Sequence, residues 1–365
     1  MKQIRPDATH GIINRVHNSL FAYQAWPTVA QDENGTLYAV ASGFRVRHVD
    51  GFGKTVMYIS RNGGETWTKP MVINDSYIDD RDVGIVYMGE GRLLVSWFTR
   101  SPEEYCKPKH HEMIAVAPPA GQKLIYAMTE SVTMLPEETR KLGSYTMLSR
   151  DYGVTWEEPT TIPVSAPHGP TLCKDGSLLY LGSQHREPAE RTTRAQIQLY
   201  RSRDEGKTWQ MLSVMERPSW LLPEESLCEP HVLELPDGRL LGAVRVEGRK
   251  PFTMAMAFSE DQGESWSELV CTNVSGAPPH LMRHSSGAII CTFGRREPPY
   301  GEYAIISHDN GATWTEEYII DDNTDSRDLG YGSTLELPDG NLLSVYYQRC
   351  PGDNYPSILY TKWKL

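Results

Sequence analysis

An eight-residue pattern, Ser-x-Asp-x-Gly-x-Thr-Trp, occurs unchanged three times in this chain: Ser149 to Trp156, Ser202 to Trp209 and Ser307 to Trp314. Two more copies carry one substitution each, Asn62 for Asp in Ser60 to Trp67 and Ser265 for Thr in Ser259 to Trp266. Five copies at intervals of roughly 50 residues mark blades or another repeat architecture, in which each unit buries its apolar face against the next. The pattern has the chemistry of a turn. Asp or Asn caps its own backbone, Gly supplies a positive φ, and Ser and Thr add local hydrogen bonds. The Trp then packs on its repeat. The motif directs folding and catalyses nothing by itself.

A looser repeat, apolar-x-x-Asp-Gly-x-Leu, reads as the opening of an inner strand. It occurs at Ala30 to Leu37, Tyr87 to Leu93, Leu172 to Leu178, Leu233 to Leu240, Met282 to Ile289 and Leu335 to Leu342. Six such signals against five octapeptides predict an all-β fold, a six-bladed β-propeller whose last blade lacks the octapeptide. Ser357 to Trp363 and Gly11 to Val16 are the expected closing strands, and closure leaves no exposed sheet edge. Length alone would allow two domains, but the repeat predicts one, residues 1–365. The interval from Ser60 to Ser149 is 89 residues, where the others are 48 to 57. The excess predicts an insertion in blade two at about 101–143, with helical character over Gln122 to Arg140 after a break at Pro118-Pro119. It reads either as a surface excursion or as a lid or assembly surface.

Thirty Gly and 25 Pro suit many short strands and turns. A net charge of −11 argues against nucleic acid as a partner. The six Cys form no Cys-x-x-Cys pair, which argues against a zinc cluster. Residues 1–20 hold no apolar run of the signal-peptide kind, and no 18-residue apolar span follows, so no membrane partner is expected. The chain as given is expected to be cytoplasmic; a leader already removed would make it secreted.

Residues ahead of each inner strand should converge at one end of the propeller channel. In order they are Gln24-Ala25-Trp26-Pro27, Asp79-Asp80-Arg81-Asp82, His168-Gly169-Pro170, Cys228-Glu229-Pro230-His231, Pro278-Pro279-His280 and Arg327-Asp328-Leu329-Gly330-Tyr331. Six segments bring polar, charged or aromatic groups to a place where the framework alone asks for apolar ones. A functional pocket is expected there.

The octapeptide is the Asp box, and over nearly the whole chain the sequence resembles the sialidase superfamily. Glu229-x-x-Val232-Leu233-Glu234-Leu235, followed by Arg245, is similar to the segment carrying that family's catalytic Glu and a substrate-binding Arg. Tyr331-x-x-x-x-Glu336-Leu337-Pro338-Asp339-Gly340 is similar to the segment with its nucleophilic Tyr. The resemblance implies that Glu229 acts as base for Tyr331, which attacks the anomeric carbon; a neutral phenol avoids the repulsion a carboxylate nucleophile would feel from an acidic sugar. Three Arg hold the sugar carboxylate in such enzymes. Arg245 matches one position and Arg295 or Arg296 a second. The third departs: Gln24-Ala25-Trp26-Pro27 stands where a Tyr-Arg-Ile-Pro segment is usual, and Tyr347 stands where the Glu that steadies that Arg is usual. The resemblance implies a remodelled site. Asp50, in Arg45-Val46-Arg47-His48-Val49-Asp50-Gly51, matches the general acid, with Arg81 and its neighbours Asp80 and Asp82 as a competing cluster. Blandly read, Asp50 is a turn residue and Arg81 an ion-paired node.

His48, His168 and His280 are extra to the family pattern. Near a pocket, His can bind a hydroxyl or carboxylate or serve as acid or base; a three-His metal site lacks a close-spaced ligand pair, and neither metal nor cofactor is expected. The leading expectation is a sialidase-type glycoside hydrolase that removes a terminal acidic sugar from a glycan or oligosaccharide. Catalysis falls to Tyr331, Glu229 and Asp50. Binding falls to Arg245, Arg296, Arg295, Arg81, Asp82, His168, His280, Trp26, Gln24, Arg45, His48 and Asp328. Two alternatives stay open: another carbohydrate-active propeller (a hydrolase for a different sugar, or a polysaccharide lyase), and a non-catalytic glycan binder. Oligomerisation is open as well.

Overall fold

The Asp-Gly segments end inner strands rather than open them. In the computed structural model, which describes residues 1–105, 107–184 and 195–365, each segment spans the turn between the innermost strand of a blade and its second strand. In the first copy, the Asp32 carboxylate accepts the N–H of Asn34 at 2.9 Å and of Thr36 at 2.8 Å, and Gly35 takes φ 80°. A side-chain cap and a positive-φ residue make a tight turn, so the inner strand runs upstream of the motif.

Six blades result. Blade one holds Tyr23–Gln31, Leu37–Arg45, Lys54–Ser60 and Met71–Asn74, from the channel outward. Blade two holds Asp79–Tyr87, Leu93–Arg100, Ser144–Ser149 and Thr160–Ile162. In blade three the inner edge is split into Val164–Ser165 and Thr171–Leu172, followed by Leu178–Gln184, Ile197–Ser202 and Gln210–Met215. Blade four is Ser226–Glu234, Leu240–Glu247, Thr253–Ser259 and Val270–Cys271. Blade five is His280–Arg283, Ile289–Arg295, Gly301–Ser307 and Glu316–Asp321, with Lys2–Ile4 added in parallel at its edge. Blade six is Gly330–Glu336, Leu342–Gln348 and Ser357–Trp363, and the N-terminal strand Ala8–Asn14 is its outermost member. The ring is thus closed by pairing the two ends of the chain, His10 opposite Thr361. This placement matches the expected closing strands and removes the free edges an open array would present.

The Asp boxes join the third strand of a blade to the fourth. In each, the Ser hydroxyl accepts the Gly N–H, as from Gly153 to Ser149 at 2.9 Å, and the Asp carboxylate accepts the Thr N–H, as from Thr155 to Asp151 at 2.8 Å. Asn62 accepts the same bond from Thr66, and Ser265 donates its hydroxyl to Asp261 as Thr does elsewhere, so the two variant copies keep the turn. The boxes share their end of the molecule with the Asp-Gly turns: Tyr152 of the second box donates to Glu33 at 2.8 Å. That leaves the opposite end for the site. Between blades the core is apolar; Tyr23, Trp26, Leu37, Ala41, Val345 and Tyr347, for example, join blades one and six.

The long interval in blade two holds three helices between its second and third strands: α1 (Pro102–Tyr105), α2 (Pro108–Ala115) and α3 (Pro119–Thr133). Helix α3 starts at the second proline of Pro118-Pro119, a position where the missing N–H costs nothing, and ends before the 3-10 turn Glu137–Thr139. The helices bury Tyr105, Ile114, Ala117 and Ile125 against Val46 and Val49 of blade one, at the end away from the boxes. Cys106 lies outside the described residues. No described helix is long and apolar enough to cross a membrane.

Candidate active site

Four inner strands bulge at one depth. Blade one shifts register between Ala25 and Thr28, blade two between Arg81 and Gly84, blade four between Cys228 and His231, and blade six between Gly330 and Ser333. At each shift one residue takes the left-handed conformation: Trp26 (φ 57°), Asp82 (φ 50°), Glu229 (φ 49°) and Tyr331 (φ 56°). Gly169 (φ 74°) does so in blade three. A bulge re-aims a side chain, and a non-glycine residue held this way stores about 1–3 kcal/mol of strain. The fold spends that strain on four positions that face one another around the channel mouth.

Two of them are in direct contact. The Tyr331 hydroxyl donates to Glu229 Oε1 at 2.6 Å, and Arg245 Nη1 donates to Glu229 Oε2 at 2.7 Å. Arg245 reaches Glu229 because it sits opposite Cys228 on the neighbouring strand; its other terminal nitrogen pairs with Glu247. Burial pushes the Glu229 carboxyl up, but Arg245 and the Tyr331 hydroxyl more than offset it and hold the group below its ordinary range. Burial, reinforced by the charge of Glu229, drives the Tyr331 phenol well above its ordinary value. The resting pair is therefore a carboxylate accepting from a neutral phenol.

Asp82 titrates differently. It is buried, its Oδ1 has no hydrogen-bond partner among the described residues, and its pKa is raised to about 6. Burial is the main cause; Glu229 adds to it, and Arg81 opposes it. A carboxyl of this kind carries its proton in mildly acidic water and can give it up, as a general acid must.

Beside this group opens a cavity of about 600 Å³, lined by Tyr23, Arg47, His48, Phe252, Arg296, Arg327 and Asp328, with Glu112, Met113 and Val116 contributed by the insertion. The insertion therefore walls the pocket rather than merely decorating the surface. The Arg296 guanidinium lies 5.4 Å from the centre of the Tyr331 ring; its Nε donates to the Leu329 carbonyl at 3.2 Å, and its Nη2 has no partner among the described residues. On the other wall Asp328 accepts from Tyr23, Tyr347 and His48 at 3.0–3.2 Å. Burial would raise this carboxyl, but His48, Arg296 and Tyr23 hold it at about 2. The Tyr347 that departs from the family pattern thus has a partner of its own.

Several expected site residues lie elsewhere. Asp50 is not placed as an acid: its carboxylate accepts the N–H of Val46 and, at 2.8 Å, of Phe52, closing its own loop. Gln24 is spent on Asn14 and Tyr58, since strand alternation turns it away from the channel. Arg45 is fully buried and ion-paired with Asp79, and Arg81 bonds Asp79, Tyr105 and the His48 carbonyl. Both guanidiniums pack on Trp26, 4.9 and 4.1 Å from its ring centre, so Trp26 is a buried wall with no face left for a sugar. Arg295, the last residue of its strand, pairs with Glu317 in its own blade; Arg296, the first residue past the strand, is the one of the two that reaches the cavity.

His168 and His280 meet His231 inside the channel, with ring centres 4.7–5.8 Å apart. Burial lowers the pKa of all three, that of His231 to about 4, so they pack as neutral rings. His231 accepts the Leu281 N–H on Nδ1, which leaves its proton on Nε2. Neither these three nor Tyr331, Glu229, Asp82 and Arg245 line the cavity itself, which Arg296 joins to the Tyr331 ring; among the described residues no group of His, Cys, Asp or Glu is arranged to hold a metal ion. Sequence reasoning missed Tyr23, Phe252, Asp79 and His231 as members of these clusters. Asp79 and His231 stood inside flagged segments; Phe252, in a loop after a strand, carried no signal.

The profile of the BNR repeat-like domain matches residues 98–343, and that of the single BNR/Asp-box repeat matches 58–69. The chain belongs to the BNR repeat-like domain family. With six blades and five boxes it is a six-bladed BNR propeller. No curated protein sequence matches it. Among solved structures, a Dyadobacter fermentans protein of unknown function is 21% identical with a TM-score of 0.77, covering 99% of both chains. The NanB sialidase of Streptococcus pneumoniae is 13% identical with a TM-score of 0.67, covering 97% of this chain and 70% of its own. The α-L-arabinofuranosidase Arb93A of Fusarium graminearum is 13% identical with a TM-score of 0.58, covering 94% and 93%. At these identities the likeness is one of fold.

Proposed function

We propose that this BNR propeller is a retaining exo-glycosidase that removes a terminal acidic sugar. The observation that carries the reading is the 2.6 Å hydrogen bond from Tyr331 to Glu229, with Arg245 on the far oxygen. In the first step the Tyr331 oxygen bonds to the anomeric carbon while its proton passes to Glu229 Oε1. The bond to the leaving oxygen breaks as Asp82 supplies that oxygen with a proton. Water then attacks the glycosyl-tyrosine, Asp82 takes the water's proton, and Glu229 returns a proton to the departing phenolate. Asp82 takes the role expected of Asp50 because its carboxyl is unsatisfied and titrates near neutrality. Arg296, with an unpartnered nitrogen beside the cavity, grips the sugar carboxylate. The test is a panel of aryl glycosides and acidic oligosaccharides. Release of the sugar by the wild type and its loss in Tyr331→Phe support the proposal, whereas an unsaturated product seen by ultraviolet absorbance would replace hydrolysis with elimination.

A second reading, hydrolysis of a non-sialic and even a neutral sugar, is favoured by one specific observation. Arg245 is already paired with Glu229 and Glu247, and Arg295 with Glu317, so Arg296 is the one matched clamp residue left with an unpartnered terminal nitrogen. The fold neighbour from Fusarium graminearum acts on a neutral pentose by its name. Neutral glycosides therefore belong in the same panel.

A further inference from the structure

Glu302 is the second residue of the third strand of blade five and has no exposed surface. Neither of its carboxyl oxygens makes a well-formed hydrogen bond among the described residues; the Gly332 N–H approaches the carboxyl, and no Lys, Arg or His forms an ion pair with it there. Thr292 packs beside it from the second strand of its blade, and Asp321 stands opposite it on the fourth. Asp321 is occupied as an acceptor by Tyr346, Gln348 and the Asn323 N–H. Arg296, from the segment after the second strand, and Tyr346, from blade six, are the remaining titratable groups that act on Glu302. From the inner strand of blade six comes Gly332, the residue after Tyr331. A β-carbon on Gly332 would lie 1.9 Å from Glu302 Oε1, so the carboxyl fills room that only glycine leaves open, directly behind the bulge. A buried carboxyl with no pairing cation keeps its proton, because ionising it there forfeits hydration without compensation. Burial and Asp321 hold it well above the carboxylate range, against Arg296 and the Gly332 N–H.

We propose that Glu302 is a positioning residue, a neutral carboxylic acid that props the Gly332 peptide and so keeps Tyr331 in the left-handed bulge that aims its hydroxyl at Glu229. The effect on rate rests on reading Tyr331 as the nucleophile; the propping itself does not. Once ionised, the carboxylate is drawn towards Arg296 and water, and the bulge loses its support.

Two activity-independent measurements on the full chain decide the propping. With carboxyl-labelled Glu, the resonance that disappears in Glu302→Gln is expected to stay in its protonated position through pH 7. With ring-labelled Tyr, the Tyr331 signal is expected to be displaced in Glu302→Leu and restored in Glu302→Gln, whose amide is neutral and of the same shape. If Glu302→Leu does not fold, Gly332→Ala presses the same contact from the other strand and is expected to displace the Tyr331 signal. A Glu302 that titrates in the ordinary range, a Tyr331 signal moved equally by Gln and Leu, or one moved by neither Leu nor Ala, overturns the proposal. On a hydrolysed substrate, Glu302→Leu is expected to lower kcat by about 10²-fold with KM little changed, the result of a misplaced nucleophile, and Glu302→Gln to recover it. If no substrate is hydrolysed, the mechanistic reading fails while the two spectroscopic results still judge Glu302.

Discussion

Replacing Asp82 by Asn removes a proton donor while keeping the shape of a buried side chain. The carboxyl has its pKa raised to about 6, so its protonated fraction falls roughly tenfold between pH 5 and pH 7. If Asp82 protonates the leaving oxygen, the rate on a substrate with an alkyl or sugar leaving group follows that fraction. It should be high below pH 6 and decline above it. General acid help is worth about 10²–10⁴-fold, or about 3–5 kcal/mol. Asp82→Asn should therefore lose that factor on poor leaving groups and flatten the alkaline limb. An aryl leaving group near neutral pKa hardly needs the proton, so on an aryl glycoside the same variant should lose much less. The assay is kcat/KM from pH 4 to 8 for the two substrate types, wild type against variant, with thermal unfolding as the control for folding. An alkaline limb that persists in Asp82→Asn, or an equal loss on both leaving groups, would refute the assignment.

Three further outcomes are expected. Tyr331→Phe and Glu229→Gln should each abolish most turnover, and the double variant should be little worse than either single one, because the pair acts as a unit; additive losses in a kinetic double-mutant cycle would contradict this. Arg296→Ala should weaken acidic substrates far more than neutral ones, by about 2–5 kcal/mol in kcat/KM for the acidic sugar if the guanidinium is its ion partner, so equal losses on both would remove the carboxylate clamp. Acid should destabilise the fold through the channel histidines. His231 is lowered to about 4 in the fold, so between an unfolded value near 6.5 and that pKa the unfolded chain binds the extra proton, and stability is lost as pH falls through this window, by about 3 kcal/mol for His231. His231→Asn keeps an acceptor for the Leu281 N–H but does not titrate; chemical denaturation at pH 4–7 should show a shallower slope for it, and an unchanged slope would exclude the histidine.

Much of the architecture was legible because it is written in local chemistry. A box needs Ser, Asp or Asn, Gly and Thr at fixed offsets to satisfy one turn, as Ser149, Asp151, Gly153 and Thr155 do, so repetition of the turn announces repetition of the blade. The closing strand Ser357–Trp363 and the insertion in blade two followed from the same spacing. The convergence of Glu229, Arg245 and Tyr331 was legible too, since it depends on depth along strands of known order and on a family resemblance. What the sequence left open depends on orientation and on partners far away in the chain. Whether a residue faces the channel or the blade turns on a bulge between Arg81 and Gly84, or on a strand that ends between Arg295 and Arg296, and neither has a composition signal. Asp50 and Asp82 are the same residue type; backbone N–H groups consume the first, while burial beside Glu229 raises the pKa of the second and leaves one of its oxygens without a partner among the described residues. Which of the matched Arg keeps an unpartnered terminal nitrogen was decided in the same way, because Arg245 and Arg295 find Glu247 and Glu317 only when the blades are folded. Local turns select the propeller; long-range pairing and desolvation, which exist only in the tertiary structure, select the groups that remain free to react.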